Sequence, residues 1–208
     1  VYDTGRLART AGILNVLVTA AYINQQPLVD LCRYVDAANV DLKGITDDFY
    51  NRMCGAALKP VQDAILTMKK MNVWVELTNL VVPTWNDSDK DLGDLCRWIK
   101  NFCGADTPLH FSKFWPMHQL KNLPPTPAET LEKAFDIAKS TGLKYVYVGN
   151  IPGHRYNSTY CPECGHLLIE RVGYQIIQNT IKDGHCPACN ETIPGIWKIG
   201  RASCRERV

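Results

Sequence analysis

At 208 residues the chain is long enough for one medium domain and a small appendage. Its 46% hydrophobic content can fill a globular core, yet no run approaches the ~18 uninterrupted apolar residues of a membrane span. The formal charge is +2, and the last ten residues alone supply it with three arginines and one glutamate, so the basic balance does not indicate a nucleic-acid partner.

The first residue is Val1 rather than Met, so the start reads as cut and the lack of a leader says nothing of targeting. From Val1 to Asn150 short apolar strands alternate with amphipathic helices. Ile13 to Thr19 is a near-continuous apolar run, the pattern of a strand covered on both faces. Asn39 to Lys43 is the second predicted strand, Val73 to Val82 the third, Leu109 to Phe114 the fourth and Lys144 to Val148 the fifth. Val61, Ala64, Ile65 and Met68 recur at helical spacing after Pro60. Leu92, Leu95, Ile99 and Phe102 stripe the next helix, entered through Asn86-Asp87-Ser88 and left at Gly104. After Pro124-Pro125, Thr126 is the expected N-cap, Pro127 the first helical residue and Glu129 the capping-box partner. Leu131, Ala134, Phe135 and Ala138 form the buried stripe of that helix, and Gly142 ends it. The alternation predicts a parallel α/β sheet, part of a β/α barrel or half-barrel, over residues 1–150.

Beyond Asn150 the texture changes. Prolines and glycines crowd a stretch that holds Cys161-Pro162-Glu163-Cys164 and, 21 residues later, Cys186-Pro187-Ala188-Cys189. Each C-x-x-C is followed by a residue suited to a tight turn, Gly165 or Asn190. Such knuckles aim two thiolates at one cation, and two knuckles make the closed tetrahedral set of a structural zinc. Leu167 to Ile169 and Val172 to Ile177 supply short strands, giving a zinc-ribbon module over 151–198 that needs its metal as a staple. Redox pairs, disulfides or a [4Fe–4S] cluster on the same cysteines are the alternatives. With the tetrahedron filled, His166 and His185 are expected to stand outside it, and the metal to stabilise rather than catalyse. Of the nine cysteines, Cys32, Cys54, Cys96 and Cys103 are scattered in apolar or amphipathic surroundings, as reduced core thiols in a cytoplasmic protein would be. Residues 199–208, Ile-Gly-Arg-Ala-Ser-Cys-Arg-Glu-Arg-Val, resemble the in-frame translation of a sequencing-adapter oligonucleotide and are expected to be a non-native tail.

Polar residues gather at strand ends. In the second strand Val40 and Leu42 face one side, Asn39, Asp41 and Lys43 the other. If the apolar side meets helices, the polar side points into the barrel near the C-terminal strand ends, where such folds carry chemistry. An internal Asp41–Lys43 salt bridge is the plainer expectation. Glu76 and Thr78 repeat the pattern in the third strand, and His110 and Ser112 share a face of the fourth, with His110 expected as a satisfied core histidine.

Asn39-Val-Asp-Leu-Lys-Gly44, Glu76-Leu-Thr-Asn-Leu-Val-Val-Pro83 before Trp85-Asn86-Asp87, Leu109-His-Phe-Ser-Lys-Phe114, and Tyr145-Val-Tyr-Val-Gly-Asn150 leading to Pro152-Gly-His154 and Thr159-Tyr-Cys-Pro-Glu-Cys-Gly165 follow one another in this order. Together they resemble the C-terminal two-thirds of the AmmeMemoRadiSam-system radical SAM enzymes, relatives of the pyruvate formate-lyase activating enzymes, over residues 1 to about 198. The resemblance implies an α/β fold, a partial (β/α) barrel of radical SAM type lacking its first strands, with a small C-terminal zinc ribbon. It implies a [4Fe–4S] cluster and S-adenosylmethionine as cofactors, and reductive cleavage to a 5′-deoxyadenosyl radical that attacks a substrate, left open between a protein and a small molecule. It implies that Asp41 and Lys43 line the S-adenosylmethionine site, that Thr19 lies where that group has a polar residue near the cosubstrate's carboxylate, and that Thr78 occupies a comparable strand position.

Three departures stand out. The cluster-binding Cys-x-x-x-Cys-x-x-Cys is not in these residues, nor is the Gly-Gly-Glu strand end. Thr19-Ala20-Ala21 replaces Thr-Asn-Gly, and Phe114-Trp115-Pro116 stands where many relatives have a histidine, with His118 nearby. The chain by itself is therefore expected to be an inactive fragment of the enzyme. A zinc-ribbon adaptor without catalysis, or a barrel lyase or aldolase acting through a Lys43 Schiff base, are the competing expectations.

Overall fold

The structure, a computed structural model, describes residues 1–173 and 175–197; the expected adapter-derived tail lies outside them. In chain order its elements are α1 (Tyr2–Thr10), β1 (Val16–Thr19), α2 (Gln25–Cys32), β2 (Ala37–Asp41), α3 (Asp47–Phe49), α4 (Leu58–Lys70), β3 (Trp74–Val81), α5 (Asp89–Trp98), β4 (Leu109–Lys113), α6 (Ala128–Thr141) and β5 (Val146–Gly149). β6 (Thr159–Tyr160), β7 (Leu167–Val172) and β8 (Gln175–Asn179) follow. β1 to β5 form a sheet in sequential order with every neighbouring pair parallel. β6, β7 and β8 form a separate antiparallel sheet. Among the described residues no helix is long and apolar enough to cross a membrane.

Alternation along the strands decides which face meets the helices. Val40, Leu42, Val75, Leu77, Leu109 and Phe111 are buried on one face. They pack in one cluster with Val61, Ile65 and Met68 of α4, Leu92 and Leu95 of α5, and Leu131 and Ala134 of α6. The helical stripes read from the sequence therefore do cover the sheet. α5 begins where expected, with Ser88 Oγ accepting from the Asp91 amide at 3.1 Å. α6 ends at Gly142 in the left-handed conformation, φ 99°.

Four local expectations are corrected. β1 is an edge strand covered on one face only: Val16 and Val18 are 69% and 77% exposed, because they point to the inner face, away from the helices. Phe102 is 60% exposed and Cys103 is buried in its place. At Ile99–Cys103 α5 widens into a π-type turn, which changes the rotation per residue and carries the stripe on by one position. Thr126 does not cap α6, whose N-cap is Pro127. Its hydroxyl instead accepts from the Phe114 amide at 2.9 Å and donates to the Val81 carbonyl at 2.6 Å, tying two strand ends together in the interior. In the small sheet the chain reverses after Val172, so Val172 to Ile177 is not one strand but the end of β7 and the start of β8.

Candidate functional site

The cysteine quartet comes together as the spacing demands. The ligand atoms of Cys161, Cys164, Cys186 and Cys189 all lie within 4.8 Å of one another. Cys161 Sγ is 3.6 Å from Cys189 Sγ, and Cys164 Sγ is 3.7 Å from Cys186 Sγ. Four sulfurs at about 2.3 Å from one ion would stand about 3.8 Å apart at the edges of a tetrahedron, so the residues fit a single mononuclear metal. The two knuckles are built alike. The Gly165 amide donates to the Cys161 carbonyl at 3.0 Å, and the Asn190 amide donates to the Cys186 carbonyl at 2.9 Å. Gly165 and Asn190 both have positive φ, 72° and 64°, the conformation that their residue types tolerate. Burial opposes ionisation of the Cys186 thiol, yet the Cys189 and Ala188 amides and the neighbouring thiols draw it down to about 7. Beneath the sulfurs Leu168, Ile169 and Ile193 pack with Tyr145, a small apolar cluster of the kind that ordinarily needs a staple. His185 Nδ1 lies 2.8 Å from the Asp183 carbonyl, outside the quartet.

The second site is a row of side chains on the inner face of the parallel sheet. Register places Asp41 beside Thr78, Thr78 beside His110, and His110 beside Tyr147. One step toward the strand starts, Asn39 stands beside Glu76. Lys43 Nζ contacts Asp41 Oδ2 at 2.9 Å, and Thr78 Oγ1 donates to Asn39 Oδ1 at 3.0 Å. Glu76 accepts from Trp74 Nε1 at 3.1 Å and pairs with His110 Nε2 at 2.8 Å. His110 stacks on Tyr147 with centroids 4.7 Å apart. Tyr147 Oη lies 3.1 Å from Thr159 Oγ1, so the ribbon is docked onto β5 through this hydroxyl pair. His110 is thus partnered as expected, but it is not a core residue, since 29% of its side chain remains exposed.

Of the predicted cofactor residues, the structure brings Asp41, Lys43 and Thr78 together and sets Thr19 apart. Thr19 is in register with Val40, on the helix-facing side, and its Oγ1 accepts from the Ala21 amide at 3.0 Å. Two buried asparagines, one of them read from the sequence only as part of a helix entry, hold the loop after β2. Asn79 Nδ2 donates to the Leu42 carbonyl at 2.8 Å, and Asn86 Nδ2 to the Lys43 carbonyl at 2.8 Å. Asn86 Oδ1 also accepts from the Val82 amide at 2.7 Å, which fixes the end of β3 to the end of β2. His118 is exposed in the loop after β4.

The scattered thiols do not converge on a metal. The quartet in the ribbon is the only group of three or more metal-ligating side chains among the described residues. Cys32, Cys54, Cys96 and Cys103 are free, and burial pushes the Cys96 thiol up to about 12 and the Cys103 thiol to about 11. These four residues do not come together to hold an iron–sulfur cluster.

The parallel sheet is a known fold. A domain of a pyruvate formate-lyase-activating enzyme from Bacteroides vulgatus superposes with a TM-score of 0.61 over 72% of this chain and 89% of that one, at 13% identity. A radical SAM methyltransferase from Sphaerobacter thermophilus superposes with a TM-score of 0.51 over 64% of this chain and 39% of that one, at 15% identity. The fold is therefore shared with these two proteins. In sequence, the chain is 47% identical over 194 residues to an uncharacterized protein of Methanocaldococcus jannaschii, covering 92% of this chain and 57% of that protein. It is 26% identical over 99 residues to the pyruvate formate-lyase-activating enzyme of Clostridium pasteurianum, covering 48% of this chain and 41% of that enzyme. The chain thus spans about half the length of the curated relatives it matches. No protein-family model matches it.

Proposed function

We propose that this chain is the larger part of a radical SAM enzyme of the AmmeMemoRadiSam type, with a partial barrel over residues 1–150 and a zinc-bound ribbon over 151–198. The observation that carries the reading is the inner-face row, in which register sets Asp41 and Thr78 side by side and Lys43 closes on Asp41 at 2.9 Å. The sheet bearing it has the fold of the activating-enzyme domain. An ammonium, a carboxylate and hydroxyl and amide donors at the C-terminal end of a parallel sheet suit the carboxylate, amino and ribose groups of S-adenosylmethionine. Lys43 would face the carboxylate of the cosubstrate, Asp41 its amino group or a ribose hydroxyl, and Thr78 a further hydroxyl. Asn79 and Asn86 would hold the backbone that carries Lys43.

When bound and reduced by an iron–sulfur cluster, S-adenosylmethionine supplies a 5′-deoxyadenosyl radical that abstracts hydrogen from a substrate. The cluster ligands are not among these residues, and both curated relatives are longer than this chain; in this reading the cluster would be held by the larger protein. Zinc is the metal that a closed four-thiolate tetrahedron favours, and with no open position it stabilises rather than reacts. The free thiols agree with a reducing, cytoplasmic setting.

The longer protein, purified anaerobically with its cluster and reduced with dithionite, is expected to convert S-adenosylmethionine to methionine and 5′-deoxyadenosine in equal amounts. The 208-residue chain treated in the same way is expected to yield neither. Turnover by the short chain, or its absence from the cluster-loaded longer protein, would contradict the reading.

A further inference from the structure

Beside the Asp41–Thr78 pair the inner face opens into a cavity of about 760 Å³, lined among others by Glu76, His110, Trp115, Tyr147 and Arg171. Its size is that of a small-molecule site. The antiparallel strand β7 brings Arg171 across from the ribbon. The Arg171 amide donates to Ser158 Oγ at 3.1 Å and its Nη1 to Thr159 Oγ1 at 2.7 Å, and the guanidinium carbon stands 6.0 Å from the Tyr147 ring. Among the described residues Arg171 forms no ion pair with a carboxylate. Glu76, the acid of this cavity, is already engaged at both oxygens, by Trp74 and by His110.

That distribution leaves donors unspent, since the Arg171 charge acts on Glu76 without a direct contact. Of the five N–H donors of the guanidinium, one meets a protein acceptor among the described residues. His110 uses Nε2 on Glu76 and stacks on Tyr147, which fixes the ring so that its position in the cavity does not wander. The charged or titratable groups facing His110 are Glu76 from β3, Tyr147 from β5 and Arg171 from β7. Trp115, which also lines the cavity, is 53% exposed, with the Lys113 ammonium 4.4 Å from its ring centroid. A guanidinium kept in a half-buried cavity without a contacting carboxylate, beside a histidine, is an arrangement that binds an oxyanion.

We propose that this cavity is an oxyanion-binding site for a small molecule bearing a carboxylate or a phosphate, with Arg171 as its charge partner and His110 as its hydrogen-bonding partner. Its aromatic walls, Trp115 and Tyr147, would take a planar or apolar body. That the ligand is the enzyme's substrate rests on the radical SAM reading above; that the cavity holds the anion stands on the geometry alone.

The test uses the zinc-loaded full chain and two probes, inorganic phosphate and benzoate, with the His110 ring resonances as readout. Saturable shifts of His110 are expected with at least one probe, and the one that binds tells phosphate from carboxylate recognition. Arg171→Gln is expected to weaken the binding at least tenfold, Arg171→Lys to retain part of it, and Lys43→Met to leave it unchanged. Because Arg171 variants could disturb the ribbon, phenylglyoxal labelling of Arg171 in the unaltered chain gives a second measurement, and the bound probe is expected to slow it. Absence of saturable shifts with both probes, or labelling that the probes do not slow, would overturn the proposal. Loss of binding in Lys43→Met would also overturn it, since the anion would then belong to the Asp41–Lys43 pair. Failure of S-adenosylmethionine to bind would leave these outcomes untouched, so the two readings fail separately.

Discussion

Glu76 lies part-way out of solvent on the inner face, and burial pushes its carboxyl up, but the His110 hydrogen bond and charge, the Trp74 indole and the Arg171 charge together hold it below the usual carboxylate range. A carboxyl depressed in the folded state contributes stability above its unfolded value, about 4.3 for glutamate, and loses it as pH falls through the lower folded value. Thermal melts of Glu76→Gln against the unaltered chain are therefore expected to differ at neutral pH and to converge in acid; a gap that persists at pH 2 to 3, roughly a unit or more below that reference, would show that the charge is not responsible. Thr126 works by hydrogen bonding alone. Its hydroxyl serves the Phe114 amide and the Val81 carbonyl, both inside the protein. Thr126→Val keeps the shape and strands those groups, with an expected cost of about 1–3 kcal/mol in denaturant unfolding. No change in midpoint would mean that water reaches the site.

Among the elements, the knuckles and the inward polar faces of β2, β3 and β4 were legible in the sequence because their signals are local. A C-x-x-C followed by Gly165 or Asn190 states its own turn, and period-two alternation states which side chains share a face. What escaped is what depends on partners distant in the chain. Val16 and Val18 belong to an apolar run, but only the sheet order shows that their face has no helix over it. Thr19 looked like a companion of Asp41, but a register that pairs it with Val40 puts it on the other side. Thr126 stands where an N-cap stands, and the tertiary bonds to β3 and β4 claimed its hydroxyl first. Arg171 gave no signal, because its role comes from docking β7 against β5. The ribbon itself makes the plainest element-scale prediction. Metal analysis of the purified chain should give about one zinc per chain, and Cys186→Ser should release it and unfold the region after Asn150, read as loss of amide dispersion there while the parallel sheet stays folded. A ribbon that keeps its dispersion without metal would show that its small apolar cluster suffices.

Across the whole molecule, the two sheets have different jobs. The parallel sheet buries its helix-facing side and offers the other as a polar row, Asp41, Thr78, His110 and Tyr147. The ribbon, held by its four cysteines, anchors on that face through Thr159 and lends it Arg171. The parallel sheet shares its fold with the activating-enzyme domain and the methyltransferase, and the chain spans about half the length of its curated relatives; the cosubstrate row of Asp41, Lys43 and Thr78 is the proposal to be tested. The most direct measurement is saturation-transfer NMR of S-adenosylmethionine on the zinc-loaded chain. The account predicts transfer to the adenosyl and methionyl protons, with affinity lowered about tenfold, or about 1.4 kcal/mol, in Asp41→Asn and in Lys43→Met. No transfer to the unaltered chain, or transfer that both variants leave at full strength, would contradict it.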